Sequence, residues 1–266
     1  MQSRLLPVLR MAESSLSSTE FSTLAQETIS ILEERTSQVF AEVRTLDAWA
    51  LVTDPTTPDD VVLAVVREIM LAVHQYQRHT TEAGFLMIGR IPKAEHRLIG
   101  ALCHHKAEEA EHGLWARRDF LRLGGDARRL DDDATPACFT MASVWWRMAN
   151  VEDPLGYLGA EYLFEYLTAL VGAEFLEVLG RRGLRHDGLD FIVEHATEDV
   201  KHTNLLRHLV GHTVTRFPES ASSMIRCFDY FRHCYPIPVW REAYERVVSS
   251  PDCGCGARRG SEAAMA

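Results

Sequence analysis

The chain has 266 residues, 46% hydrophobic and 25% charged, so it can bury a sizeable core and is too apolar to be disordered throughout. A net charge of −10 sets nucleic acid and anionic membrane surfaces aside as main partners and leaves a small organic substrate unrestricted. No apolar run reaches the roughly 18 residues of a membrane span, and Met1 to Pro7 lack the apolar region of a signal peptide. The expectation is therefore a cytoplasmic protein, with Cys103, Cys138, Cys227 and Cys234 as reduced thiols.

Residues 1–17 give no firm signal and read as an N-terminal extension. From Ser18 to Thr53 apolar residues recur at three and four places, which predicts one or two helices. Thr57-Pro58 reads as an N-cap and first turn of a helix running to about Gly89. Ile91-Pro92 ends it, and one helix is expected from Lys93 to Leu123, closed by Gly124-Gly125. A polar loop over 126–136 leads to a short aromatic-rich helix over Phe139–Ala149, which contains Trp145 and Trp146. Asp153-Pro154 opens a helix to about Gly180, a further helix runs from Leu189 to Thr215, and a last one spans Glu219–Val248, interrupted near Pro236 and Pro238. No segment alternates as a sheet strand does, so the fold class is all-α: one helical domain of about seven helices over 18–249, followed by a flexible tail at 250–266 with Cys253 and Cys255.

Three of these segments carry polar residues on an apolar stripe. His195, Asp199 and His202 stand four and seven places apart, so they leave one face of their helix, the face that also presents Ile192, Leu206 and Leu209. Glu109 and His112, three apart, share a stripe with Leu98 and Leu102. Glu161 and Glu165 share one with Leu158 and Phe175. Buried imidazoles and carboxylates without partners cost several kcal/mol, and ions that accept nitrogen and oxygen ligands would compensate them. If one of Glu161 and Glu165 takes part, the set is three His and three carboxylates, which suits two iron ions. Glu108, Glu111 and Lys106 fall off the stripe by the helical wheel and read as a solvated face, and His74, His104, His208 and His212 read as structural.

With these residues in hand, the chain resembles the heme-oxygenase-like diiron oxidases and oxygenases, whose signature is Glu-x-x-His, a lone Glu on a later helix, and His-x-x-x-Asp-x-x-His on a third. The resemblance covers roughly residues 90 to 215. It implies a heme-oxygenase-like helical bundle and a metal site of Glu109, His112, Glu165, His195, Asp199 and His202. Glu165 is preferred over Glu161 because Tyr162-Leu-Phe-Glu165 is similar to the family's run before its glutamate. In some members the first-helix carboxylate lies seven places before the His, a position held here by His105. The resemblance further implies two Fe ions that activate O2 to oxidise a small metabolite: an amino acid, a fatty acid or a related carboxylate or amine. The outcome would be N-oxygenation, desaturation or oxidative C–C cleavage in a specialised biosynthetic pathway. An external electron donor belongs to that expectation, and a monomer and a homodimer both stay open. An apolar wall, for which Phe164 and the Trp145-Trp146 pair are candidates, would keep water away, although core packing is the favoured role of the Trp pair. Two alternatives stay open: a metal-independent, thiaminase-like hydrolase using Cys103 or Cys138, and a non-enzymatic iron-binding protein. True heme oxygenase activity is disfavoured, since no His precedes His74.

Overall fold

The helical spacing of apolar residues is realised throughout a computed structural model that describes residues 21–132, 134–184 and 189–250, in which every regular element is a helix. In chain order these are α1 (Thr23–Val43), α2 (Asp47–Thr53), α3 (Asp59–Ile88), α4 (His96–Glu109), α5 (His112–Arg122), α6 (Pro136–Val151), α7 (Tyr157–Arg181), α8 (Asp190–Arg216), α9 (Ser220–Arg232) and α10 (Ile237–Val248). Short 3-10 turns lie at Lys93–Glu95 and Ala127–Asp131.

The helices outnumber the seven expected because three predicted segments are divided. Residues 18–53 split at a turn where Leu46 is extended and precedes α2. The segment from Lys93 to Leu123 breaks at Ala110-Glu111, between α4 and α5. The last segment divides before Pro236, whose nitrogen has no proton to donate. Pro58, not Thr57, is the N-cap of α3. Asp153 accepts a hydrogen bond from Leu155 N at 3.1 Å, in a turn that precedes α7 instead of beginning it. The proposed extension over 1–17 and the tail carrying Cys253 and Cys255 lie outside the described residues.

Helix α7 is the centre of the bundle. Residues 157–165 are buried without interruption, and a helix with no solvated face must be covered on all sides. It packs against α8, α9 and α1, while α3 packs against α5, α6 and α10. Gly159 permits the closest of these approaches, since a Cβ there would stand 2.0 Å from the Met224 carbonyl oxygen on α9. At Gly172 a Cβ would lie 3.4 Å from Ala196 Cα on α8. The long α8 is fixed at its start by Asp119 of α5, which is buried and accepts a hydrogen bond from Phe191 N at 2.7 Å.

The contact at Gly159 predicts that Gly159→Ala forces α7 and α9 apart and lowers stability by about 1–3 kcal/mol, the usual cost of overpacking a core. Urea unfolding of the purified variant measures it, and an unchanged midpoint would mean the two helices are not packed as described.

Candidate metal centre

The break at Ala110-Glu111 is the first thing that shapes the site. Glu109 ends α4 and His112 begins α5, so the two residues expected on one helix stand on either side of a bend, with His112 Nδ1 3.0 Å from Glu109 Oε2. Gly113 lets α5 approach α3, where Gln77 donates a hydrogen bond to Glu109 Oε2 at 2.9 Å.

Around this bend α7 and α8 bring the other donors together. His202 Nδ1 lies 3.3 Å from Glu109 Oε1 and 3.3 Å from Glu165 Oε2, and 3.8 Å from Asp199 Oδ1. His105 Nε2 lies 3.1 Å from Glu165 Oε1. Donor atoms of His105, Glu109, Glu165 and His202 all fall within 4.8 Å of one another, as the ligands of a single ion would. His112 and His195 stand beside them, ring centroids 4.2 Å apart. His195 Nδ1 is 2.6 Å from the Phe191 carbonyl oxygen; a proton placed there leaves Nε2 as a lone pair, the tautomer a metal ligand needs. All seven residues are buried.

The electrostatics are those of donors crowded without enough positive charge. Burial pushes the Asp199 carboxyl well above the ordinary range, reinforced by the neighbouring Glu165 and Glu109. Burial also opposes ionisation of Glu165 but is outweighed by His105 and His202, which hold it down to about 2. At His202 burial disfavours the charged ring, yet Glu109 and Glu165 raise it to about 11. Burial and nearby His112 lower His195 to about 4, so this imidazole is neutral at pH 7.

A family model described as iron-containing redox enzyme matches residues 70–233, a span that contains every one of these groups. The chain belongs to that family. Among solved structures, it is similar to the crystal structure of a domain of unknown function with a heme oxygenase-like fold from Shewanella denitrificans OS217: 19% identity over 82% of this chain and 92% of that one, with a TM-score of 0.70. The heme-oxygenase-like architecture expected from the sequence is therefore the fold of this chain. Comparison with curated proteins gives no match.

For a member of an iron-containing redox family, the decisive test is whether these residues fit iron, and the buried atoms left without hydrogen-bond partners say that they do. Both carboxylate oxygens of Asp199 lack one, as does His105 Nδ1, and Glu109 Oε1, His112 Nδ1 and His202 Nδ1 stand near opposite charges without a well-aligned hydrogen bond. Native interiors rarely leave such groups unsatisfied, and here they converge on one place from α4, α5 and α8. Carboxylate and imidazole donors match the preferences of iron.

All six residues predicted as ligands therefore gather in one buried cluster, with His105 as a seventh member. The periodicity that marks Leu98 and Leu102 also marks His105, seven places before His112, so a signal for it was present. Lys106 corrects the expectation of a solvated face: it is buried, with Nζ 2.7 Å from Glu161. Burial alone would favour its neutral form, but Glu161, Glu109 and Glu165 keep it protonated. Glu161, the alternate carboxylate of α7, is thus engaged by an ammonium group. Glu108 and Glu111 are exposed as expected. His74 pairs with the Gly113 carbonyl oxygen, His104 with Glu108 and His208 with the Asn204 carbonyl oxygen.

A cavity, part of it open to solvent, reaches the donors. Glu109, Glu165, His195 and Asp199 form its polar end, and its wall comes from α3 (Val66, Ile69, Met70, Val73), α7 (Phe164, Leu167, Val171, Phe175) and α8 (Phe191, Ile192). Phe164 belongs to this wall as expected, whereas Trp145 and Trp146 do not. Trp145 packs inside an aromatic cluster with Tyr157 and Phe231, and Trp146 Nε1 meets His79 Nδ1 at 3.3 Å.

The unpartnered Asp199 predicts opposite effects of one substitution. In protein stripped of metal by chelation, Asp199→Asn removes a buried, uncompensated carboxylate and leaves the fold at least as stable. In the presence of Fe(II) or Co(II) under nitrogen, the wild type gains stability by about 2.7 kcal/mol at one hundred times Kd, and the variant gains less. Thermal unfolding with and without metal checks both signs; a variant that is less stable in both conditions would show Asp199 to be a structural group.

Proposed function

We propose that this protein is a non-heme diiron enzyme that uses O2 to oxidise a small, largely apolar metabolite bearing a carboxylate or amine. The observation that supports it best is the convergence of seven buried His, Glu and Asp side chains, with neither oxygen of Asp199 hydrogen-bonded, at the end of an apolar cavity. In this reading His105, Glu109, Glu165 and His202 hold one ion. His112, His195 and Asp199 would hold the other. Bound iron supplies O2 activation, and electrons beyond those of the substrate come from an external donor.

The chain's own residues account for the rest. The apolar wall binds the body of the substrate and keeps bulk water from the oxidising end. Neither lysine nor arginine lines the cavity, so a substrate carboxylate has its natural partner only at the metal end. This favours an apolar carboxylate, such as a fatty acid, over a metabolite charged at both ends. Tyr76, Thr168 and Tyr235 also line the cavity, and their hydroxyls orient the substrate by hydrogen bonds. A cysteine-dependent hydrolase finds no support: neither Cys103 nor Cys138 lines the cavity, and burial pushes the Cys138 thiol up to about 11, away from the reactive thiolate. A protein that only stores or senses iron would have no use for an apolar cavity ending at its ligands.

Anaerobic reconstitution followed by iron quantitation tests the metal content, with two ions per chain expected. Oxygen uptake measured across medium-chain carboxylates, alkylamines and amino acids then tests the chemistry, with the apolar carboxylates consuming most. His202→Ala and Glu165→Gln should each lower iron content and abolish substrate-dependent uptake. A stoichiometry well below two together with no O2-dependent change in absorbance would sink the proposal.

A further inference from the structure

Lys106 and Glu161 make a buried ion pair that the redox reading does not use. Both are essentially inaccessible to solvent, and Lys106 Nζ approaches Glu161 to 2.7 Å. The lysine is built into the core: a Cβ on Gly84 of α3 would lie 2.9 Å from its Cδ and Cε, so the glycine makes the channel through which the side chain runs. Its position on α4 is one turn before Glu109 and next to His105. Glu161 is one turn before Glu165 on α7, so both glutamates leave the same face of that helix. Yet donor atoms of Glu165 belong to the tight group with His105, Glu109 and His202, and those of Glu161 do not.

A buried ion pair is rarely kept for stability, because desolvating two charges offsets most of their attraction. A reason specific to this place is that an unengaged carboxylate one helical turn from Glu165 would compete for the metal. We propose that Lys106 is a positioning residue that holds Glu161 out of the metal cluster and so fixes which α7 glutamate serves as ligand and how many carboxylates the ions receive. The inference rests on the diiron reading. It assigns no contact between Lys106 and substrate.

The test uses full-length protein loaded with Co(II) under nitrogen, whose visible absorption reports coordination number, beside iron loading followed by Mössbauer spectroscopy. Four variants are compared with wild type: Lys106→Met, Lys106→Arg, Glu161→Gln and Lys106→Met/Glu161→Gln. In Lys106→Met the released Glu161 is expected to join the metal, weakening the Co(II) bands through a higher coordination number. Its metal affinity should rise by about 10- to 100-fold, the range over which partners around a site tune affinity. Lys106→Arg should restore the wild-type spectrum, and so should the double variant, which lacks both charges. A Lys106→Met spectrum and affinity equal to those of the double variant would overturn the proposal. So would loss of metal in Glu161→Gln and in the double variant, since Glu161 would then itself be a ligand. If Lys106→Met does not accumulate as folded protein, the double variant carries the test, because it must match wild type. A wild type that takes up neither Co(II) nor iron would instead overturn the diiron reading, a result readily told apart from two bound ions with a spectrum indifferent to Lys106.

Discussion

Four carboxylates, Glu109, Glu161, Glu165 and Asp199, are buried in the interior of a helical bundle, each no more than 2% exposed. Among the described residues Lys106 is the single lysine or arginine buried with them, and it is spoken for by Glu161. Imidazoles can absorb some of the remaining charge, as His202 does, but Asp199 has no hydrogen-bond partner, only His202 at 3.8 Å, and His195 is held neutral. Charges cannot be removed from water at this density without strong compensation. Divalent or trivalent cations are the simplest source of it, which is why the family match and the local electrostatics point the same way.

This constraint accounts for features of the fold that would otherwise be unexplained. Helix α7 must run through the middle of the bundle to deliver Glu165, so its first nine residues have no solvated face and its packing depends on glycines where α9 and α8 come near. Helix α8 must present His195, Asp199 and His202 at fixed height, and the Asp119 side chain clamps its first turn. The Phe191 carbonyl oxygen, one turn before His195, then sets the orientation of that ring. The bend between α4 and α5 lets Glu109 and His112 approach the cluster from different axes, which a straight helix would not do.

Much of this was legible in the sequence because polar residues on an apolar stripe are self-announcing. The spacing of His195, Asp199 and His202 located the inward face of α8, and Glu109 with His112 located the second wall. What escaped was tertiary. No proline marks the break at Ala110-Glu111, so the 3.6-residue rhythm continued through it on paper. A helical wheel placed Lys106 on the outer side of α4, but a wheel cannot know that α3 packs there, or that Gly84 leaves room for a lysine stem reaching across to Glu161. Helical position does not separate Glu161 from Glu165, since both lie on the same face, and only the resemblance favours Glu165. The structure adds what α4 brings opposite each: an ammonium to Glu161, an imidazole to Glu165.

The same arrangement links the metal end to the kind of molecule that can reach it. Charged groups lining the cavity are restricted to donors of the cluster, and its other polar side chains, Tyr76, Thr168, Tyr235 and Trp240, are uncharged. Burial pushes the Tyr76 and Tyr235 phenols upward, so they remain protonated and act as hydrogen-bond partners, not as anions. A ligand charged along its length would lose its hydration on entering and recover nothing from such a wall. An apolar body with one charged end loses little. Under the proposed diiron reading, the charged end would be drawn to the metal, and the same deficit of positive charge that favours a metal would orient the substrate with its polar end towards the site of oxidation.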